Sequence, residues 1–540
     1  MESFFQYQRI RQAVRHQLAE IKEKCSCEDY TLGSPHSSSC QLSNIWLSVP
    51  SKQLLLQENS PNDSLIIVDW DSDNDPLNPA SESVSRKLFM TLLVSLIAFS
   101  VTATSAIDAC GILQYSEEFN VSEVIGSLAT VLHKLTVPTA LFLVGFGAGS
   151  LLSGPFSETF GRNTVYLTTM LIFLIFIMAA ALAPNVHSHL IFRFLAGFFG
   201  STPLSCAGGT VADLWNPMQK TYAFPAYAIP SFVGPMAGQI IGSYIPIKLG
   251  WRWLEWIMLI MGGAILLVIF LFQPETYGPL LLYWKAKILR QETGDERYKA
   301  PMELKNEALG RRLLTSVYRP FALVHSELII ILMSLYLTVI YIVLFTFLEG
   351  YTYIFGQTYG LSQEITSIIW AGMLCGILLV GCVVPVIYSW TAKEYKKTSV
   401  IVPETRLWYA MLGGAPAVPI SLFWMGWTSY PSISIWSPLI ASALFGYGIT
   451  TIFIVTYMYI IDSYDVYSAS ALGFLVFTRY VVAGGMTVAG GPIYRSIGVH
   501  YTLTILGAIS TVMATIPYLL YMYGPKLRKY SKFAVNIDAN

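Results

Sequence analysis

Windows of about 20 apolar residues, the length a helix needs to cross the hydrocarbon core of a bilayer, recur along this chain. They fall at Leu88–Asp108, Thr139–Leu152, Thr164–Ala183, Leu190–Ala212, Tyr222–Ile245, Leu254–Phe272, Leu328–Leu348, Ile365–Tyr388, Leu407–Trp427, Trp436–Ile461, Ala469–Gly491 and Leu503–Tyr523. The second is short as drawn and is expected to start earlier. Composition agrees: of 540 residues 54% are hydrophobic and 12% charged, about half the charged share of a soluble domain. The apolar surplus has to face lipid, which predicts an all-α membrane protein with twelve transmembrane helices.

The spans divide evenly. Between the sixth and seventh lies a polar stretch carrying Lys285, Lys287, Arg290, Arg297, Lys299, Lys305, Arg311, Arg312 and Arg319. The expected organisation is a tail at 1–85, a first six-helix half at 86–273, a central loop at 274–327, a second half at 328–524 and a short tail at 525–540. Bases also follow the eighth span (Lys393, Lys396, Lys397, Arg406) and the last (Lys526, Arg528, Lys529, Lys532). The positive-inside rule then puts both termini and the central loop in the cytoplasm. Met1–Glu23 can form an amphipathic helix with Phe4, Phe5, Ile10, Val14 and Leu18 on one side. The Pro, Ser, Asn and Asp that follow, to Ser85, read as disorder. No cleavable signal peptide is expected, so the first span would act as signal anchor.

Several chemistries are disfavoured. Net charge is zero and bases avoid the apolar segments, so nucleic acid is not expected as a partner. The seven cysteines show no disulfide spacing, although Cys25 and Cys27 permit a zinc half-site or a lipidation site beside the simpler reading of free thiols. Scattered histidines form no metal or nucleophile constellation, so neither an enzyme nor a metal or cofactor is expected.

Three segments carry more information. Gly154-Pro155-Phe156-Ser157-Glu158-Thr159-Phe160-Gly161-Arg162 is a charged, glycine-rich turn between two apolar spans. Arg193 lies inside the fourth span, where a buried arginine costs a few kcal/mol unless it faces a partner or an aqueous cavity; a snorkelling arginine near the boundary is the bland alternative. The fifth span holds Pro230-Ser231-Phe232-Val233-Gly234-Pro235-Met236-Ala237-Gly238, whose small residues allow close helix packing and whose proline frees a carbonyl.

In order and spacing, these segments resemble the major facilitator superfamily, in the form of its fungal drug:proton antiporters with twelve spans. Asp69-Trp70 through Asp75-Pro76, Pro274-Glu275-Thr276-Tyr277, Pro403-Glu404-Thr405-Arg406-Leu407 and Ile461-Asp462-Ser463-Tyr464 look like the same group, so the resemblance runs from about Asp69 to Phe533. It implies that Arg193 takes part in proton coupling. It also implies an antiporter motif at Gly234, Pro235 and Gly238, with Pro230 standing where the motif's first glycine is usual. Gly154, Pro155, Glu158, Gly161 and Arg162 would form a cytoplasmic gate latch, pairing with the facing half. A monomer in a fungal plasma membrane is implied as well. Val131–Ala140, with His133 and Lys134, interrupts the usual second span; it is either a real extension or an error in the gene model.

A chain of this kind needs a site between its halves and a source of energy. Tyr227, Phe232, Gln239, Tyr336, Tyr341, Phe347, Trp370, Tyr447 and Tyr457 are the expected cavity lining, suited to bulky amphipathic molecules. No nucleotide-binding phosphate loop is present, so protons are the expected driving partner. Asp108 is the first choice of titrating carboxylate and Glu349 the second. The expectation is a proton-coupled exporter of drugs, toxins or other secondary metabolites. Polyamine export is an alternative within transport, and a non-transporting sensor one outside it. Asn120-Val121-Ser122 is a glycosylation sequon in the first outer loop.

Overall fold

The computed structural model describes residues 1–31, 51–54, 65–72, 74–111, 114, 118–119, 137–304 and 309–535. Among these, eleven helices are long and apolar enough to cross a membrane. They are α2 (Val84–Gly111), α3 (Val137–Phe160), α4 (Arg162–Ala181), α5 (Val186–Leu214), α7 (Arg252–Phe272), α10 (Leu328–Gln357), α11 (Ile365–Thr398), α12 (Pro403–Thr428), α13 (Trp436–Tyr464), α14 (Ser468–Ile497) and α15 (Val499–Tyr530). The twelfth expected span is α6 (Lys220–Gly242), whose interior prolines 225, 230 and 235 dilute its apolar character. It is continuous nonetheless, since neighbouring helices shield its interrupted backbone.

Within the first half α2 packs on α6, α3 on α5, and α4 on α7. The second half repeats those pairings in the same order: α10 on α14, α11 on α13, and α12 on the first part of α15. The contacts between halves are also equivalent, α3 against α14 and α6 against α11. Two copies of one six-helix pattern therefore face each other through their second, fifth, eighth and eleventh spans.

A smaller layer sits at the end of the bundle that carries the termini. It contains α1 (Glu2–Thr31), strands β1 (Ser51–Leu54) and β2 (Leu65–Val68), α8 (Gly278–Thr293), β3 (Tyr298–Lys299) and α9 (Leu309–Ser326). β2 pairs antiparallel with β1 and parallel with β3, with Ile66 opposite Tyr298. Ile10, Val14, Leu18, Ile66, Val68, Leu281, Ile288 and Leu289 form a common core. The amphipathic helix is thus present, but Phe4 and Phe5 are exposed and only its Ile10–Val14–Leu18 stripe is buried. The expected disorder to Ser85 is corrected at 65–72 and 74–85: Lys285, buried in α8, pairs with Asp71 at 2.5 Å and donates to the Asp69 carbonyl. Tail and central loop fold on each other because each offers one apolar stripe that water would otherwise wet.

The second span starts at Val137, so four residues of the suspected insertion form its first turn, while His133 and Lys134 lie outside the described residues. The same helix runs through Gly154 and Pro155 to Phe160, which reduces the expected nine-residue turn to Gly161 alone. Asn120 also lies outside the described residues.

Candidate functional site

Four ionisable side chains from three spans converge where α2, α5 and α7 meet. Arg193 of α5 places Nη2 at 2.6 Å from Asp108 Oδ1 and 2.9 Å from Glu255 Oε1, and donates from Nη1 to the Thr104 carbonyl. His189, one helical turn before Arg193, has Nε2 at 3.6 Å from Asp108 Oδ2; its Nδ1 lies 3.2 Å from the Ala180 carbonyl. The Trp251 ring stands edge-on to the imidazole. All four groups are at most 2% exposed. Two carboxylates against one fixed guanidinium leave a charge that one proton, shared among Asp108, Glu255 and His189, can balance. Ligand atoms of Asp108, His189 and Glu255 lie within 4.8 Å of one another, a spacing a metal ion could use. Arg193 already bridges both carboxylates, so a cation occupies that role.

The first span separates this cluster from the cavity. Ser100, Thr104 and Asp108 recur every four residues on the cluster's side of α2, while Thr102, Ser105, Ala106 and Ala109 line the cavity on the other. The GP-x-x-G segment of α6 packs directly on α2. A Cβ at Gly238 would lie 2.6 Å from the Ala103 carbonyl, and one at Gly234 would strike Thr102 Oγ1. Pro235 and Gln239 line the cavity from α6, and Gln239 Nε2 donates to the Ala106 carbonyl at 2.7 Å. Cluster, first span and antiporter-like segment are one packed unit.

The cavity, about 530 Å³, lies between the halves toward the end opposite the termini. That is within the usual range for small-molecule sites. Of the expected lining, Phe232, Gln239, Tyr341 and Trp370 are present, with Glu349 and Arg495 beside them. The remaining aromatic expectations are corrected. Tyr227, Tyr336, Phe347 and Tyr457 are buried behind the wall, Phe347 packing on Phe445 and Tyr351. Tyr447 turns toward α12 and donates to the Leu412 carbonyl. Glu349 lines the cavity and stands apart from the Arg193 cluster, so the two expected carboxylates occupy different sites.

The floor of the cavity is Tyr341, Phe453 and Tyr480. Beneath it Arg479 is fully buried, with its guanidinium 4.7 Å from the Tyr341 ring, 4.9 Å from Tyr480 and 5.2 Å from both Phe453 and Tyr457. Its Nε, Nη1 and Nη2 have no hydrogen-bond partner among the described residues.

Contacts between halves close the end that carries the termini. Arg406 holds Asp462 at 2.6 Å in its own half and donates to Thr221 Oγ1 and the Pro217 carbonyl in the other. Tyr409 donates its hydroxyl to the Thr221 carbonyl at 2.7 Å. Phe224 and Phe232 of the first half pack on Phe453 of the second.

At the expected latch, Arg162 pairs within its own half, with Asp213 at 3.1 Å and Ser157 Oγ at 2.5 Å, and lies over the Tyr277 ring. Glu158 is exposed, and Gly154 has open space where a Cβ would sit. Among the described residues, the expected pairing across the halves and the close approach at Gly154 are therefore absent from this conformation. What organises the turn is Glu275, whose carboxylate accepts from the Arg162 and Asn163 N–H groups at the start of α4. Burial pushes the Glu275 carboxyl up, while backbone N–H groups of Tyr277, Arg162, Asn163 and Thr276 pull the other way.

Sequence reading missed His189, Glu255 and Arg479. Each carried a signal: His189 is four residues from Arg193 on one helix face, and the other two are charges inside apolar spans.

The chain matches the family described as the Major Facilitator Superfamily over residues 88–487. It is 48% identical over 476 residues to the MFS-type transporter kojT of Aspergillus flavus, covering 87% of this chain and 83% of that protein. Similarity extends at 34% identity to a citrinin biosynthesis cluster MFS transporter of Monascus ruber, with 87% and 93% covered, and at 33% to an MFS-type efflux pump of Trichophyton rubrum, with 88% and 78% covered. Among solved structures, the proton:xylose symporter XylE superposes with a TM-score of 0.59 at 15% identity, covering 82% of this chain and 96% of that one, a likeness of fold alone. With its repeated six-helix halves and a central cavity between them, this chain belongs to the major facilitator superfamily of membrane transporters.

Proposed function

We propose that the protein is a proton-coupled exporter, an antiporter that moves small amphipathic molecules out of the cell across a fungal plasma membrane. In this reading it acts as a monomer with both termini in the cytoplasm. The observation that carries it is the Arg193–Asp108–Glu255–His189 cluster, sealed on one face of the first span whose other face lines the cavity. Loading or removing a proton changes the charge holding α2, α5 and α7 together, and α2 transmits that change to α6 and the cavity. The names of relatives, an efflux pump and a transporter of a biosynthetic cluster, support export of small molecules.

The energy suffices. A proton entering down about one pH unit and 100 mV releases roughly 1.4 plus 2.3 kcal/mol, enough to hold a neutral solute at a gradient of a few hundredfold. Arg406, which bonds Thr221 and the Pro217 carbonyl across the interface of the halves, then acts as a latch that biases which end opens.

The test is uptake into inside-out vesicles with an imposed pH gradient, using a dye, a polyamine and a polyketide-like aromatic. Gradient-dependent accumulation of at least one is expected. Arg193→Ala should abolish it while surface expression persists; near-normal transport by that variant would overturn the coupling role.

A further inference from the structure

Arg479 is a fully buried cation. Among the described residues no carboxylate lies within ion-pair distance, and its three guanidinium nitrogens have no hydrogen-bond partner. Glu349, the acid lining the cavity, is on α10 eight residues beyond Tyr341, ~12 Å farther along the helix axis. Four aromatic faces surround the guanidinium at 4.7 to 5.2 Å. They compensate a cation only in part, because a ring face carries no net negative charge and the hydroxyls of Tyr341, Tyr457 and Tyr480 are neutral. Packing alone would be served as well by an apolar side chain.

The cage is also the partition between Arg479 and the cavity. Tyr341, Phe453 and Tyr480 present one side to the cavity and the other to the guanidinium. Phe453 is held from the opposite half by Phe224 and Phe232, so separating the halves at the end carrying the termini removes the support of that partition.

We propose that Arg479 is an anion-recognition group for the transported molecule, reached when the protein opens at the end carrying its termini, and that the substrate is taken up through a carboxylate or a comparable ionised oxygen. The inference rests on the export reading above. A guanidinium fork matches a carboxylate with two parallel hydrogen bonds, and the surrounding rings provide stacking faces for a planar body. In the conformation described here the rings have closed over Arg479 and the cavity faces the other end, the state in which an anionic cargo has been released. A polyamine would meet a fixed positive charge at this point, which disfavours that substrate class.

The full-length protein in lipid nanodiscs would be titrated calorimetrically with 2-naphthoate, 2-naphthamide and 2-naphthylmethylammonium, which share one ring system and differ in charge. Wild type is expected to bind the carboxylate at least tenfold tighter than the amide. Arg479→Gln should erase that preference and Arg479→Lys keep part of it. Equal affinity for carboxylate and amide in wild type would overturn the proposal whether or not the variants fold, and so would a monodisperse Arg479→Gln protein that keeps the preference. Vesicle transport of the same probes separates the two readings. Arg479-dependent carboxylate binding without gradient-driven movement upholds the anion site and removes proton-coupled export. Equal gradient-driven movement of amide and carboxylate removes the anion site and leaves export standing.

Discussion

Arg193 draws its two carboxylates from different spans, Asp108 from the end of α2 and Glu255 from the first turn of α7. Either acid alone would satisfy an arginine; two, with His189 alongside, give a site whose charge can change by one proton. Glu255→Gln is therefore expected to reduce pH-gradient-driven uptake in inside-out vesicles at least tenfold, about 1.4 kcal/mol in coupling. Glu349→Gln, away from the cluster, should keep its gradient dependence; the reverse result would move the proton site into the cavity. Gly161 has φ +91, and a Cβ there would press on Glu275 Oε2, the oxygen that caps α4. Gly161→Ala should cost about 1–3 kcal/mol, read as a lower Tm of the purified protein; an unchanged Tm would show that the turn tolerates a side chain.

Among the elements, α1 shows how far a local pattern carries. Its stripe of Ile10, Val14 and Leu18 was visible as periodicity, but its partners, Leu281, Ile288 and Leu289 of α8, lie some 270 residues away in sequence. Gln6 of the same helix bonds the Glu275 backbone, and Ser3 bonds Asn163, so α1 also rests against the Gly161 turn. Deleting residues 1–31 would uncover those α8 side chains, each worth ~1.5–3 kcal/mol of burial. A lower Tm and faster proteolysis within α8 are expected, with ligand binding in the cavity retained; equal protease resistance would mean that α1 contributes nothing to this layer.

For the whole molecule, the two halves are hinged by equivalent contacts, α3 on α14 and α6 on α11, and locked at one end by Arg406 and Tyr409. Each such hydrogen bond contributes ~1 kcal/mol, so losing the two from Arg406 should shift a two-state equilibrium by tenfold or more. Arg406→Ala is expected to raise the population open at the end carrying the termini. Spin labels placed on the two halves at that end should then report a longer-distance population; an unaltered distance distribution would rule Arg406 out as a lock.

The number and placement of the spans were legible because crossing a bilayer is a local requirement: each segment must bond its own backbone and be apolar along its own length. Arg193, Asp108 and the Gly234-Pro235 segment were legible for a related reason, since a charge or a proline in such a segment is costly wherever it sits. Which way each helix turns was not. A span that is apolar all round has no wet face to read, so Tyr227, Tyr336, Tyr447 and Tyr457 had the same standing in sequence as Tyr341, which does line the cavity. Tertiary packing alone brought Asp108 and Glu255 to the His189–Arg193 face, kept Glu349 apart, and enclosed Arg479 in aromatic rings, because those meetings depend on helix rotation and on neighbours far away in the chain.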